Sequence, residues 1–322
     1  MDVRMQKKQL RKVLGRAGWA LLIYYVIMNA CVLLVTVIDT LCYYIKGLAN
    51  GSMDNVMEGV DVDRIMGNAW GYILACVIGL VILLLWKGKK FCFQDIWVKG
   101  KPMGTVDFIA LLCISVGGQL IFQIVGTVME LILNMFGLSA LAAMESASMS
   151  VDTFSMYLYG GLFAPVVEEI LFRGLIMRSF QPYGKKFAIL TSAFLFGMFH
   201  GNIIQTPFSF FIGLILGYVA MEYSILWAMV LHMFNNLVLA DMLNRLTKNL
   251  PEFVASFVFS AIILSFTAAG VIFAIVKHKQ ISAYFKNGKM HPLCTSSFFT
   301  SPGILVITVL MFISMLLTIT PL

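Results

Sequence analysis

The sequence predicts an all-α, polytopic transmembrane helical bundle of eight or nine spans, on three observations. Of 322 residues, 60% are hydrophobic and only 12% are charged, against about 45–50% and about 25% in soluble domains. The apolar residues are gathered into runs close to the length of about 20 residues that a helix needs to cross a bilayer. The Lys and Arg behind the net charge of +7 fall in short tracts between those runs, where they set orientation instead of marking a nucleic-acid surface. A soluble globular enzyme is excluded, and so is a disordered chain, because 26 Phe, 11 Tyr and 21 Met supply abundant apolar surface.

The first element follows from Arg4, Lys7, Lys8, Arg11, Lys12 and Arg16, which precede an apolar run too long for a signal-peptide core. Residues 17–38 are therefore expected to be a signal anchor, with the N-terminus cytoplasmic. Further spans are expected near 70–86, 107–137, 154–178, 187–204, 207–222, 225–243, 254–276 and 303–320. Trp19, Trp70, Trp86 and Trp227 stand at run ends, as interface anchors do. The 107–137 run is long enough to tilt or to end in an interfacial turn. With alternating helices, basic residues collect inside in 1–16, 87–106, 178–186 and 277–289, whereas Lys46, Arg64, Arg245 and Lys248 fall outside with an acidic loop over 50–69. Eight spans would drop the short 207–222 run and put the basic 277–302 loop outside, so the charge pattern favours nine. The six cysteines form no CxxC pair and read as small hydrophobes. The chain divides into N-terminal transmembrane helices over 1–150 (about three), a polar-bearing core over 151–245, and C-terminal helices over 246–322.

Ionisable side chains inside a bilayer are costly and face a cavity or one another. Three predicted spans carry them: the fourth with Glu168, Glu169 and Arg173, the fifth with Phe196 and His200, and the seventh with His232 and Asn236. Counted from basic inner-side markers, Glu168, His200 and His232 lie at depths of roughly 15, 21 and 12 Å, so one site among spans 4, 5 and 7 is the economical reading. Glu169 and Arg173, at i and i+4, are spaced as a helix-face pair and read as structural. Glu168 points about 100° away on the same helix and is free to face another neighbour. A carboxylate in such an apolar site suits general acid–base work. Pro165 can start or kink this helix and leave backbone groups free. His232 and Asn236 share a helix face, and their N–H groups could stabilise an oxyanion. Phe196 reads as packing, Gly213 and Gly217 as a close helix contact, His278 and His291 as solvated, and Glu130 and Asp241 as polar residues near span ends.

EExxxR at Glu168, Glu169 and Arg173, FxxxH at Phe196 and His200, and HxxxN at His232 and Asn236 occur in this order within apolar helices. The set, with Phe-Arg-Gly after the glutamates, resembles the CAAX protease and bacteriocin-processing (CPBP) family, which includes the Rce1-type CAAX prenyl endopeptidases. The likeness covers roughly residues 155–240. It implies a catalytic core in 151–245 and peptide-bond hydrolysis within the membrane, on membrane-associated or lipidated peptides. Glu168 would activate a water, His200 would hold that water or a metal, and His232 with Asn236 would form the oxyanion site, supported by Glu169, Arg173 and Phe196. Glu168, His200 and His232 could alternatively bind a divalent metal such as zinc. The sequence has no HExxH, and the family is described both as metalloproteases and as metal-independent glutamic proteases, so both mechanisms stay open. The expected partners are the lipid bilayer and a peptide or lipidated-peptide substrate, with no nucleic acid, and the expected location is the cell membrane. The other readings are a non-catalytic bacteriocin-immunity or scaffold protein on the same fold, and a proton-coupled transporter, against which stands the lack of internal repeats.

Overall fold

In the computed structural model, residues 3–49, 67–148, 153–237, 249–287 and 292–322 are described. The chain is all-α apart from one short strand pair. Helix α1 (Val3–Ala49) is followed by α2 (Trp70–Lys90), α3 (Thr105–Gly117), α4 (Gln119–Asn134) and α5 (Leu141–Ser148). A helical run over 154–180, here α6, leads to α7 (Lys185–Phe199), α8 (Gln205–Glu222) and α9 (Ile225–Asn236). The C-terminal part holds α10 (Glu252–Val276), α11 (His278–Asn287), α12 (Cys294–Phe298) and α13 (Pro302–Leu316). Among the described residues, four helices are long and apolar enough to cross a membrane: Arg4–Ala49, Trp70–Asp95, Thr105–Asn134 and Glu252–Val276. Leu33 on α1 and Phe257 on α10 are well exposed, as side chains facing hydrocarbon are in a multi-pass membrane protein. The acidic stretch over 50–66, Asp241, Arg245, Lys248, Lys289 and His291, and both limits of the 151–245 core, lie outside the described residues.

Two findings adjust the element boundaries. The long run near 107–137 is broken at Gly118, where the Phe211 ring of α8 comes so close that a Cβ would lie 2.5 Å from its Cε1. At the end of α4, strands β1 (Leu138–Ser139) and β2 (Thr320–Pro321) pair antiparallel, tying the chain's last residues to the loop before α5. Glu130 has a defined duty there: its carboxylate accepts from Ser139 Oγ at 2.8 Å and from the Ala140 amide at 2.7 Å, holding the start of α5.

The bundle is drawn together where side chains are smallest. At the crossing of α1 and α13 the backbones of Gly18 and Gly303 touch, leaving no room for a Cβ on Gly18. On α8, Gly213 and Gly217 face Ala193 and Ile189 of α7, with a built Cβ 3.0–3.1 Å from them. The GxxxG pair therefore serves packing within the fold. The α7–α8 turn passes through Gly201 at φ 59, a conformation that costs glycine nothing.

Helix α6 is irregular. Thr153 caps it, its Oγ1 accepting from the Met156 amide at 3.2 Å. It then alternates α-turns (Phe154–Leu158, Ala164–Glu168, Arg178–Phe180) with wider π-turns (Tyr159–Phe163, Glu169–Met177). Such turns recur at functional positions, and here one begins at Glu169. Leu171 to Met177 are all buried, and Leu171, Phe172, Leu175, Ile176 and Met177 belong to the main core.

Candidate active site

Three helices bring the motif residues together. On α6, Arg173 Nη1 donates to Glu169 Oε1 at 2.7 Å, with both side chains fully buried. Its Nη2 donates to the Gly213 carbonyl of α8 at 3.2 Å, and its guanidinium lies 4.4 Å from the centre of the Phe196 ring on α7. One arginine thus joins three helices, and it neutralises a carboxylate that has no access to water. A planar guanidinium suits this because its donors fan out in fixed directions while its face stacks on an aromatic ring.

Glu169 also receives His232 of α9: Nδ1 stands 3.0 Å from the same Oε1. Opposite an ionised carboxylate, Nδ1 is the protonated nitrogen, which leaves Nε2 as the working atom. That nitrogen stands 3.7 Å from Glu168 Oε2, farther than a hydrogen bond. The result is a chain of groups, Arg173, Glu169, His232 and Glu168, in which the first three are buried and Glu168 keeps 21% of its side chain exposed. The adjacent glutamates therefore have different environments. Glu169 is spent on structure and on orienting His232, whereas Glu168 has unused oxygen lone pairs facing open space.

His200 ends α7. Its Nδ1 donates to the Phe196 carbonyl one turn earlier at 2.8 Å, which leaves Nε2 as an acceptor. The Phe196 ring is central: it meets the rings of Phe172, His200 and His232 edge-on at 5.2, 4.9 and 5.7 Å. It sets where both imidazoles lie as well as packing against Arg173.

Asn236 donates through Nδ2 to the Gly160 carbonyl at 3.0 Å. That acceptor is free for a local reason: Gly160 lies in the π-turn before Pro165, and proline has no N–H to return to it. One Nδ2 proton is thereby used and one remains. Asn235, not singled out from the sequence, is buried and donates to Asn236 Oδ1 at 3.4 Å; the repeated asparagine was its only signal.

Among the described residues, no three His, Cys, Asp or Glu side chains form a group that could hold a metal ion. Nδ1 of His200 is turned to its own helix and Nδ1 of His232 to Glu169, so each imidazole presents its Nε2.

Residues 150–238 match the Rce1-like family model, described as type II CAAX prenyl endopeptidase Rce1-like. All seven motif residues from Glu168 to Asn236 lie within that match. No curated protein and no solved structure matches the chain.

Proposed function

We propose that this chain, whose residues 150–238 carry the Rce1-like match, is an intramembrane endopeptidase that hydrolyses membrane-associated or lipidated peptides by a Glu168-activated water. The observation that carries this reading is the contrast between the two glutamates: one sealed in an ion pair, the next part-exposed and 3.7 Å from an oriented imidazole. Glu168 takes a proton from water as the oxygen attacks the scissile carbonyl carbon. Nε2 of His200 accepts that water's other proton as a hydrogen bond and positions it. The carbonyl oxygen gains negative charge, and the remaining Nδ2–H of Asn236 donates to it, joined by His232 when Nε2 is protonated. The proton on Glu168 then passes to the amine as the C–N bond breaks, leaving a carboxylic acid and an amine. Glu169, Arg173 and Phe196 hold His232 and do not touch the reacting atoms. No step in this reading needs a metal.

In this reading residues 151–245 are the catalytic core, flanked by N-terminal and C-terminal transmembrane helices. The bundle has nine spans with the N-terminus cytoplasmic, α6, α7 and α9 being spans 4, 5 and 7, as the basic-residue pattern favours.

The test compares detergent-purified wild type with Glu168→Gln and His200→Ala on a library of lipidated and unmodified peptides, read by mass spectrometry. Glu168→Gln should lose at least about 100-fold in rate with its melting temperature unchanged. Equal cleavage by all three proteins overturns the reading.

A further inference from the structure

Helices α1, α2 and α6 enclose a cavity of about 300 Å³ that belongs to none of the motifs. Its floor is aliphatic and buried: Leu83, Val167, Leu171 and Leu175 are each less than a tenth exposed. Its rim is open, because Trp19, Ile23, Ile82 and Trp86 line it and remain 39–53% exposed. An aliphatic cavity of this kind does not hold ordered water, and α1 and α2 are both long and apolar enough to cross a membrane. The opening therefore faces hydrocarbon, with a tryptophan on each helix at the mouth, the side chain that favours the bilayer interface.

The mouth is also cationic. Arg16 lines it, and Lys87 follows Trp86, its Nζ 4.5 Å from the centre of that indole. The carboxylate pairs formed by Arg and Lys among the described residues, Arg173–Glu169 and Lys185–Glu222, leave both of them out. Two cations with no carboxylate partner among the described residues, at the interface end of an apolar slot, complement an amphiphile with a negative headgroup and a hydrocarbon chain.

We propose that this cavity is a binding site for one anionic phospholipid, its phosphate between Arg16 and Lys87 and one acyl chain lying along α6 against Val167 and Leu171. Val167, on the floor of the cavity, precedes Glu168 in the chain, and Tyr24 of α1 lines the same cavity.

The experiment reads binding without hydrolysis, so its outcome is independent of the proposed activity. A variant retaining Trp86 as its sole tryptophan is reconstituted in phosphatidylcholine vesicles containing either dibromo-phosphatidylglycerol or dibromo-phosphatidylcholine, and bromine quenching of Trp86 is titrated. The anionic lipid should quench with roughly ten-fold or greater preference, the scale two basic residues supply at a bilayer surface. Arg16→Ala with Lys87→Ala should abolish the preference, and Arg16→Lys with Lys87→Arg should restore it. Ala20→Phe, which fills the cavity from α1, should remove quenching by the anionic lipid in excess of that by phosphatidylcholine. Equal quenching by the two lipids in the starting variant, or a preference that survives the double alanine change, overturns the proposal. So does quenching by neither lipid, as when a second copy of the chain or a substrate tail fills the groove.

Discussion

Replacing Arg173 by methionine keeps much of the side-chain volume and removes three interactions together: the 2.7 Å ion pair to Glu169, the 3.2 Å bond to the Gly213 carbonyl and the contact with the Phe196 ring. Both members of the pair are fully buried, so Glu169 would be left as a carboxylate without its cation. Breaking a buried pair on one side costs about 3–5 kcal/mol. Glu169→Leu leaves the arginine unpaired and should cost a similar amount. The double variant leaves neither charge, and apolar replacements of such pairs are often close to neutral. Two groups still lose a partner, the Gly213 carbonyl and His232 Nδ1, at about 1–3 kcal/mol each when buried. The double variant should therefore lie well above the sum of the singles, with a coupling of about 3 kcal/mol or more. Unfolding in mixed micelles, extrapolated linearly, measures all four proteins. Additivity within about 0.5 kcal/mol refutes the reasoning, since independent sites add to that precision. Peptide cleavage is a second readout: the double variant should regain stability and remain inactive, because no carboxylate orients His232.

The remaining predictions concern separate parts of the structure. Asn236→Ala removes the strut to the Gly160 carbonyl and should cost about 1 kcal/mol in the same unfolding assay; as an oxyanion donor its loss should also lower kcat by about 100- to 1,000-fold with little change in KM. Gly18→Val at the α1–α13 crossing should destabilise by about 1–3 kcal/mol or more, since the space needed is filled by the Gly303 backbone; an unchanged melting curve would contradict that contact. Incubation with a strong chelator should leave peptide cleavage unaltered if Glu168 alone activates the water as proposed; a loss that zinc restores would overturn the metal-free mechanism.

Much of the fold and the whole motif set are legible in the sequence for one reason: both are local properties of the chain. Bilayer residence follows from apolar runs and from charge confined between them. The motif pairs sit at i and i+4 on helices, so Glu169 with Arg173, and His200 with the Phe196 carbonyl, need only helical geometry. The position of Pro165 shows that backbone groups nearby would be released. What filled them was not legible, because the partner comes from another helix.

The tertiary structure decided which groups meet. Arg173 reaches a carbonyl 40 residues away, His232 selects Glu169 across 63 residues, and Asn236 finds Gly160 across 76. Those pairings separate an oriented buried glutamate from a part-exposed one, a distinction that two adjacent identical residues cannot display in one dimension. The structure also broke the 107–137 run at Gly118, gave α6 its π-turns, and opened an apolar cavity between α6 and the first two helices. The physical reason is range: solvent preference and helical periodicity act along a few turns of chain, whereas close packing and the satisfaction of buried polar atoms are settled between helices, after the bundle has closed.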